Sequence, residues 1–449
     1  MNESPTGHEP SSGSWHRNGV YNRAQIIFLS FILTYHILTR QSDRLEGCRA
    51  PDPDRVIGGI MSCKSGCRRL GGFWAVLTAT CNKSMHVCGF FIAAIFVFAT
   101  FLPAAAQDEL VVNVYNWSDY IEPKVLDDFT KETGIKVQYD TFDANETLET
   151  KLLAGKSGYD IVVPTAYFLE RQIKGGVFQK LDKSKLKNLG NVWPDIAKRL
   201  AVYDPGNQFA VNYMWGTTGI GYNVKAMRER LGPQGKIDSW DIIFKPENLA
   251  KFRDCGIHML DSADDILPSA LHFLGLNPNS NDPKELERAG ELLMKIRPLV
   301  RKFHSSEYLN ALAGGEICLV VGWSGDIKQS QKRAAEAKNG VEIGYAIPKE
   351  GAQMFFDNLA IPKDAKHVDE AHAFIDYLLR PEIAARNTDL VAYANGNLAS
   401  QKFIDKSALD DKSIYPDART MDHLYTVSAR EQKSQRFVNR LWTKIKTGR

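Results

Sequence analysis

A surplus of basic charge is missing from most of this chain. The whole sequence carries 56 Lys and Arg against 53 Asp and Glu, but 10 of the former and 6 of the latter lie in residues 1–106, leaving 46 against 47. A near-neutral body offers no cationic field to a nucleic-acid backbone. Long apolar runs are missing too. Val87 to Leu102 is short of the eighteen or so residues of a spanning helix. With Arg68, Arg69 and Lys83 upstream and Ala104-Ala105-Ala106 behind, it has the layout of a secretory signal peptide cleaved near Ala106. Residues 1–106 are therefore expected to be an N-terminal extension plus signal peptide, with Met61 a plausible initiator, and the remainder is expected to be exported. Cysteine is scarce in that remainder. Cys48, Cys63, Cys67, Cys81 and Cys88 precede the boundary and only Cys255 and Cys318 follow it. In an exported chain such a pair reads as one structural disulfide, the alternative being two buried thiols, and no Cys-x-x-Cys pair points to redox chemistry or zinc.

The signatures of catalysis are incomplete. Gly322-Trp323-Ser324-Gly325 resembles the start of a nucleophile elbow, but the second glycine of Gly-x-Ser-x-Gly would have to stand at position 326, which is Asp326. Gly219 and Gly221 are followed by Val224 where a dinucleotide fingerprint needs its third glycine. His367 and His372 are five residues apart, roughly 140° around a helix, so they cannot share a zinc face as a four-residue pair would. They are expected to be surface residues. Adjacent Asp264 and Asp265 ordinarily cap a helix. The expectation is a protein without enzymatic activity, cofactor or metal.

What remains is about 340 residues in which strand and helix signals alternate. Leu110–Tyr115, Ile135–Tyr139 and Tyr159–Val163 read as strands; Pro123–Glu132 and Glu146–Ala154 read as helices stopped by Gly134 and Gly155. A second series follows Gly219-Ile220-Gly221-Tyr222-Asn223, with helices near Ser239–Ile243, Asp264–Leu274, Pro283–Ile296 and Asp326–Glu336 and a strand Ile317–Val321. Beyond Ile343–Ile347, strand Phe355–Ile361 and helix Val368–Leu379 return to the style of the first series. These are βαβ units in an α/β fold with mixed, mainly parallel sheets. The expected lobes are discontinuous: residues 107–214 and 337–385 in one, 215–336 and 386–449 in the other. A cleft between such lobes is where a small ligand binds.

Acids and aromatics cluster at the mouths of these strands. Tyr115-Asn116-Trp117-Ser118-Asp119-Tyr120 follows the first strand. A carboxylate beside indole and phenol rings can hold an alkylammonium through charge-assisted hydrogen bonds and cation–π attraction, although core aromatics and a helix cap would explain the same residues. Trp323 and Asp326, Phe355 and Asp357, Asp264 and Asp265, and Tyr393 repeat the theme. Asp357 is the most diagnostic, because aspartate is depleted in strands and costly to bury without a partner, and no Arg or Lys flanks it.

Those segments, with Glu132-Thr133-Gly134-Ile135-Lys136, Gly158 to Pro164, Trp215 to Asn223, Asp238-Ser239-Trp240, His304-Ser305-Ser306, Ile317 to Asp326 and Ile347 to Gly351, resemble the periplasmic polyamine-binding proteins of ABC importers, the putrescine branch above all. The resemblance spans residues 108–449. It implies a two-lobed, Venus-flytrap fold of the type II class, a monomer, that delivers a polyamine to a membrane permease and its ATPase, with putrescine the first ligand and spermidine, cadaverine or agmatine the alternatives. An anion or ferric-ion receptor of the same fold, or a hydrolase, ranks lower. Carried over, the pocket falls on Trp117, Ser118, Asp119, Tyr120, Thr165, Asp265, Trp323, Asp326, Phe355, Asp357 and Tyr393. Asp326 and Asp357 would take one amine, and Asp119 and Asp265 would approach the other. Two positions depart from the branch: Asp265 stands where a longer Glu is expected and Tyr167 where a small residue is usual, which bears on ligand length.

Overall fold

The computed structural model describes residues 110–449; the signal-peptide assignment and the five upstream cysteines lie outside the described residues. Ten strands, β1 (Val111–Trp117), β2 (Lys136–Phe142), β3 (Ile161–Val162), β4 (Ala210–Asn223), β5 (Ile257–Met259), β6 (Lys302–Phe303), β7 (Leu319–Trp323), β8 (Ile343–Ala346), β9 (Met354–Ala360) and β10 (Ala394–Asn395), join in the order β2-β1-β3-β9-β4-β7-β5-β6, with β8 and β10 also paired to β4. Pairing is parallel where β1 meets β2 and β3 and where β5 meets β6 and β7; it is antiparallel wherever β4 takes part. Parallel ladders need crossovers, and here these are helices such as Pro123–Thr133 between β1 and β2. That helix starts where the Glu122 side chain accepts from the backbone N–H of Lys124 and stops at Gly134, whose φ of 75° suits a residue without Cβ.

β4 organises the molecule. Its first half, Ala210 to Thr217, pairs with β9, and from Thr218 to Tyr222 it pairs with β7, so it changes partners between two adjacent threonines. A core of Val112, Phe129, Ile161, Met214 and Phe374 gathers at one end, and a second of Ile220, Trp240, Phe252, Leu319 and Tyr308 at the other. Trp323 packs against both.

β4 is also where sequence and structure differ most. The second series was expected to begin near Gly219, yet a 14-residue strand passes straight through. It is buried along nearly its whole length and so shows no alternation, and its glycines depress the strand signal. Those glycines answer to packing: a Cβ at Gly219 would come within 2.6 Å of the Ala346 carbonyl on the facing strand. Strand Ile317–Val321 is displaced to Leu319–Trp323, and helix Gln432–Thr447 had no counterpart in the sequence reading. The surface placement is corrected for His372, which is buried with its Nε2 accepting from the Asp182 N–H; His367, its side chain 33% exposed, packs on the buried Asp160 at 2.9 Å.

Cys255 and Cys318 form a disulfide, with 5.6 Å between their Cα atoms and 63 residues of separation. Closing a loop of that length is worth about 4 kcal/mol in the chain-entropy description. Replacing both cysteines by serine should lower unfolding free energy by up to about that amount in denaturant titration. An unchanged midpoint would show that the crosslink does not constrain the unfolded chain.

Candidate functional site

Between the two cores lies a cleft of about 730 Å³, counted to its open mouth. All eleven residues singled out from sequence line it, and so does Tyr167. Seven lining residues are acids, Asp119, Asp143, Glu146, Asp261, Asp265, Asp326 and Asp357, and none is Lys or Arg.

The aromatic wall is continuous. Trp117 meets Trp323 edge to face with centroids 5.7 Å apart, Trp323 meets Phe355 at 6.3 Å, Phe355 meets Tyr393 at 6.2 Å and Tyr393 meets Tyr120 at 4.9 Å. Trp117 is fixed by its indole N–H, which donates to the Val163 carbonyl at 2.9 Å. Two glycines make room for these rings. A Cβ at Gly216 would come within 2.9 Å of Phe355, and one at Gly325 would collide with the ring of Tyr393. Gly325, which in sequence looked like part of a nucleophile motif, is there so that a phenol can lie across a helix start.

Three buried carboxylates are held by neutral donors. Asp357 accepts from the Tyr120 hydroxyl at 2.8 Å and the Thr165 hydroxyl at 2.6 Å. Asp326 accepts from the hydroxyls of Tyr308 and Tyr393, both at 2.6 Å, so it is not the simple helix cap its position implies. Asp265 accepts from Thr218 at 2.7 Å, Ser262 at 2.6 Å and the Trp323 indole at 3.2 Å. None of the three has a cationic partner among the described residues. Burial pushes Asp357 up to about 7, the hydroxyl donors opposing it and the charges of Asp265 and Asp326 adding to it. Burial likewise pushes Asp326 up to about 6, opposed by its two phenols. Asp265 is raised by burial and, less, by Asp264. The phenols of Tyr120 and Tyr393 are held well above their ordinary value, first by burial and then by the carboxylates beside them.

The remaining acids differ. Asp261 is occupied by Lys446 at 2.7 Å and the Trp442 indole at 2.9 Å. Asp119, in the left-handed region at φ 55°, pairs with Arg333 at 2.9 Å, while Gln329 donates to its carbonyl at 3.2 Å. Arg333 and Gln329 both stand on helix Ser324–Ala337, which begins at Asp326 and its neighbours. The charge of Asp119 adds to the raising of Asp326, and that of Asp265 to the raising of Asp357.

Sequence reasoning missed Tyr308, Thr218, Ser262, Glu146 and Arg333. Tyr308 and Arg333 reach their partners from other elements, and Glu146 in a first helical turn is indistinguishable from an ordinary dipole-stabilising acid. Only Ser262, three residues before Asp265, carried a local signal.

Because the folded-state values of Asp326 and Asp357 lie above the ordinary carboxylate value near 4, protonation favours the ligand-free fold. Their stabilising contribution is complete below about pH 4 and is lost as pH rises to about 7. The melting temperature of ligand-free protein should fall from pH 5 to pH 7.5, and less steeply in Asp357→Asn. Equal slopes in the two proteins would remove Asp357 as a source of the dependence.

Comparison with known proteins agrees with this architecture. The family described as bacterial extracellular solute-binding protein matches residues 124–413. The putrescine-binding periplasmic protein SpuD of Pseudomonas aeruginosa is 54% identical over 346 residues, covering 77% of this chain and 94% of the relative. The putrescine-binding periplasmic protein PotF of Escherichia coli is 49% identical over 345 residues, covering 77% and 93%. Among solved structures, the spermidine/putrescine ABC transporter substrate-binding protein PotD of Streptococcus pneumoniae superposes with a TM-score of 0.63 at 32% identity, over 76% of this chain and 99% of that one. The chain belongs to the bacterial extracellular solute-binding protein family.

Proposed function

We propose that this protein is a periplasmic polyamine receptor, with putrescine its first ligand, that delivers its cargo to an ABC permease and ATPase. One observation carries the reading: three buried carboxylates face an aromatic cleft that contains no protein cation. A diammonium supplies the missing charge, and the rings cover its methylenes. The names of the relatives support the same ligand class and export to the periplasm. Trp117, Tyr120, Trp323, Phe355 and Tyr393 wall the chain. Asp326 and Asp357 take one amine and Asp265 the other, with Thr165 and Ser118 completing the lining. A ferric-ion receptor is disfavoured by the same geometry, since Tyr120, Tyr308 and Tyr393 spend their hydroxyl protons on carboxylates and resist becoming phenolates.

Two lobes, residues 107–214 with 337–385 and residues 215–336 with 386–449, are proposed to close on the ligand about the partner exchange at Thr217 and Thr218. Asp119 and Arg333, which stand on opposite lobes in this division, already pair at 2.9 Å and would part as the lobes open.

Asp357→Asn keeps size while removing charge, and should weaken putrescine binding by about 1.5–3 kcal/mol in calorimetry. Undiminished affinity in a folded variant would take Asp357 out of the site. In solution scattering, putrescine should reduce the radius of gyration, and a monoamine of the same chain length should bind more weakly and reduce it less. Tight diamine binding with an unaltered profile would mean a preformed site in a single lobe.

A further inference from the structure

Two of the tyrosines that serve the buried acids follow backbone of the same unusual kind. Tyr120 comes directly after Asp119, at φ 55°, and Tyr393 directly after Ala392, at φ 59°. The left-handed region is disfavoured for a residue with a Cβ, so each phenol starts from a turn that other groups must hold. Ala392 is the left-handed cap of helix Pro381–Val391, its N–H donating to the Thr388 carbonyl. The last carbonyls of a helix have no partner within it, and Val391 supplies one of them.

One buried side chain reaches both turns. The Gln329 amide nitrogen donates to the Asp119 carbonyl at 3.2 Å and to the Val391 carbonyl at 3.1 Å. Two carbonyl acceptors fix which end of the amide faces them, because its oxygen can donate to neither. Gln329 is not among the residues that line the cleft. It stands on helix Ser324–Ala337, one turn after Gly325, across which the Tyr393 ring lies. The Tyr393 hydroxyl accepts from the Asp326 N–H at 3.2 Å as well as donating to the Asp326 carboxylate. This helix therefore holds Tyr393 at its hydroxyl and, through Gln329, at the turn before it. Docking of the two helices has a contact of its own: Lys332 donates to the carbonyls of Asp389 and Leu390, the latter at 3.1 Å. What Gln329 adds is a link from that helix end to the turn before Tyr120, whose ring meets that of Tyr393 at 4.9 Å.

We infer that Gln329 is a positioning residue for ligand recognition: by gripping both turns with one amide, it sets the Tyr120 hydroxyl on Asp357 and the Tyr393 hydroxyl on Asp326. The inference rests on the polyamine reading of the cleft and deepens it by naming what aligns the donors of two acids. A phenol that swings away leaves its carboxylate one donor short and free to turn from the ammonium. In the lobe division proposed above, Asp119 lies opposite Gln329 and Val391. The donation to Asp119 is then made as the lobes meet, and it slows the release of the ligand.

The test uses Gln329→Met, which keeps length and removes the donor, and Gln329→Glu, which keeps shape but turns only oxygens toward the two carbonyls. Both are compared with the unaltered protein, each expressed from the full chain with tyrosine labelled at Cζ with carbon-13. Putrescine affinity in calorimetry should fall about tenfold, the effect of two neutral hydrogen bonds, and stopped-flow should show the fall as faster dissociation. With putrescine bound, the Cζ resonances of Tyr120 and Tyr393 should move. Those of Tyr159 and Tyr203, whose hydroxyls donate to Asp140 and the Val427 carbonyl, should stay in place. Undiminished affinity, or unmoved Tyr120 and Tyr393 resonances, would overturn the role of Gln329. So would movement of all four resonances, or loss of the folded transition in thermal melts of both variants, since either makes Gln329 a residue of the fold at large. Failure of the unaltered protein to bind putrescine would overturn the receptor reading instead, and the Tyr393 resonance of ligand-free protein would still report on Gln329.

Discussion

Charge buried without an opposite charge is the constraint around which this molecule is built. A carboxylate in a water-poor cleft costs several kcal/mol unless something compensates it. Here Asp265, Asp326 and Asp357 are compensated only by hydroxyls and an indole. Neutral donors orient an acid and lower the cost of its charge, but they leave its field uncancelled, so the cleft keeps an attraction for cations. A lysine or arginine in the same place would have stabilised the empty protein and abolished that attraction.

The rest of the fold supplies donors from many directions. Tyr120 comes from the loop after β1, Thr165 from the end of β3, Thr218 from the middle of β4, Tyr308 from a short helix and Tyr393 from the turn before β10. No single supersecondary unit contains them. Strand β4, with one core at each end and a partner exchange in its middle, brings both groups of elements to one cleft. Its glycines and Gly325 permit the close ring packing beside which the acids are buried. Stability and recognition are therefore in tension at the same residues, as is common where a site stores unfavourable charge for a ligand to relieve.

Part of the helical framework was legible from local chemistry, whereas helices Ala166–Lys174, Val224–Leu231, Pro381–Val391 and Gln432–Thr447 were not. Pro123, Gly134 and Gly155 mark starts and stops that the structure reproduces to within a residue or two, because caps and left-handed residues act through neighbouring backbone groups. The unusual character of Asp357 was also legible, since an acid in a wholly buried strand has no ordinary explanation. The place of Asp119 at the cleft was legible too, but not the contact of its carboxylate with Arg333, 214 residues away in sequence.

Composition, cap residues and the aromatic and acidic clusters thus determined the α/β class, the neutral body and the members of the cleft, because those signals act over a few residues of chain. Which hydroxyl serves which carboxylate, which acids meet no cation, and where β4 changes neighbours were decided only by tertiary structure. Hydrogen bonds and fields act over a few ångströms, and the groups that meet at those distances, Tyr120 with Asp357 or Tyr393 with Asp326, are separated by 237 and 67 positions along the chain.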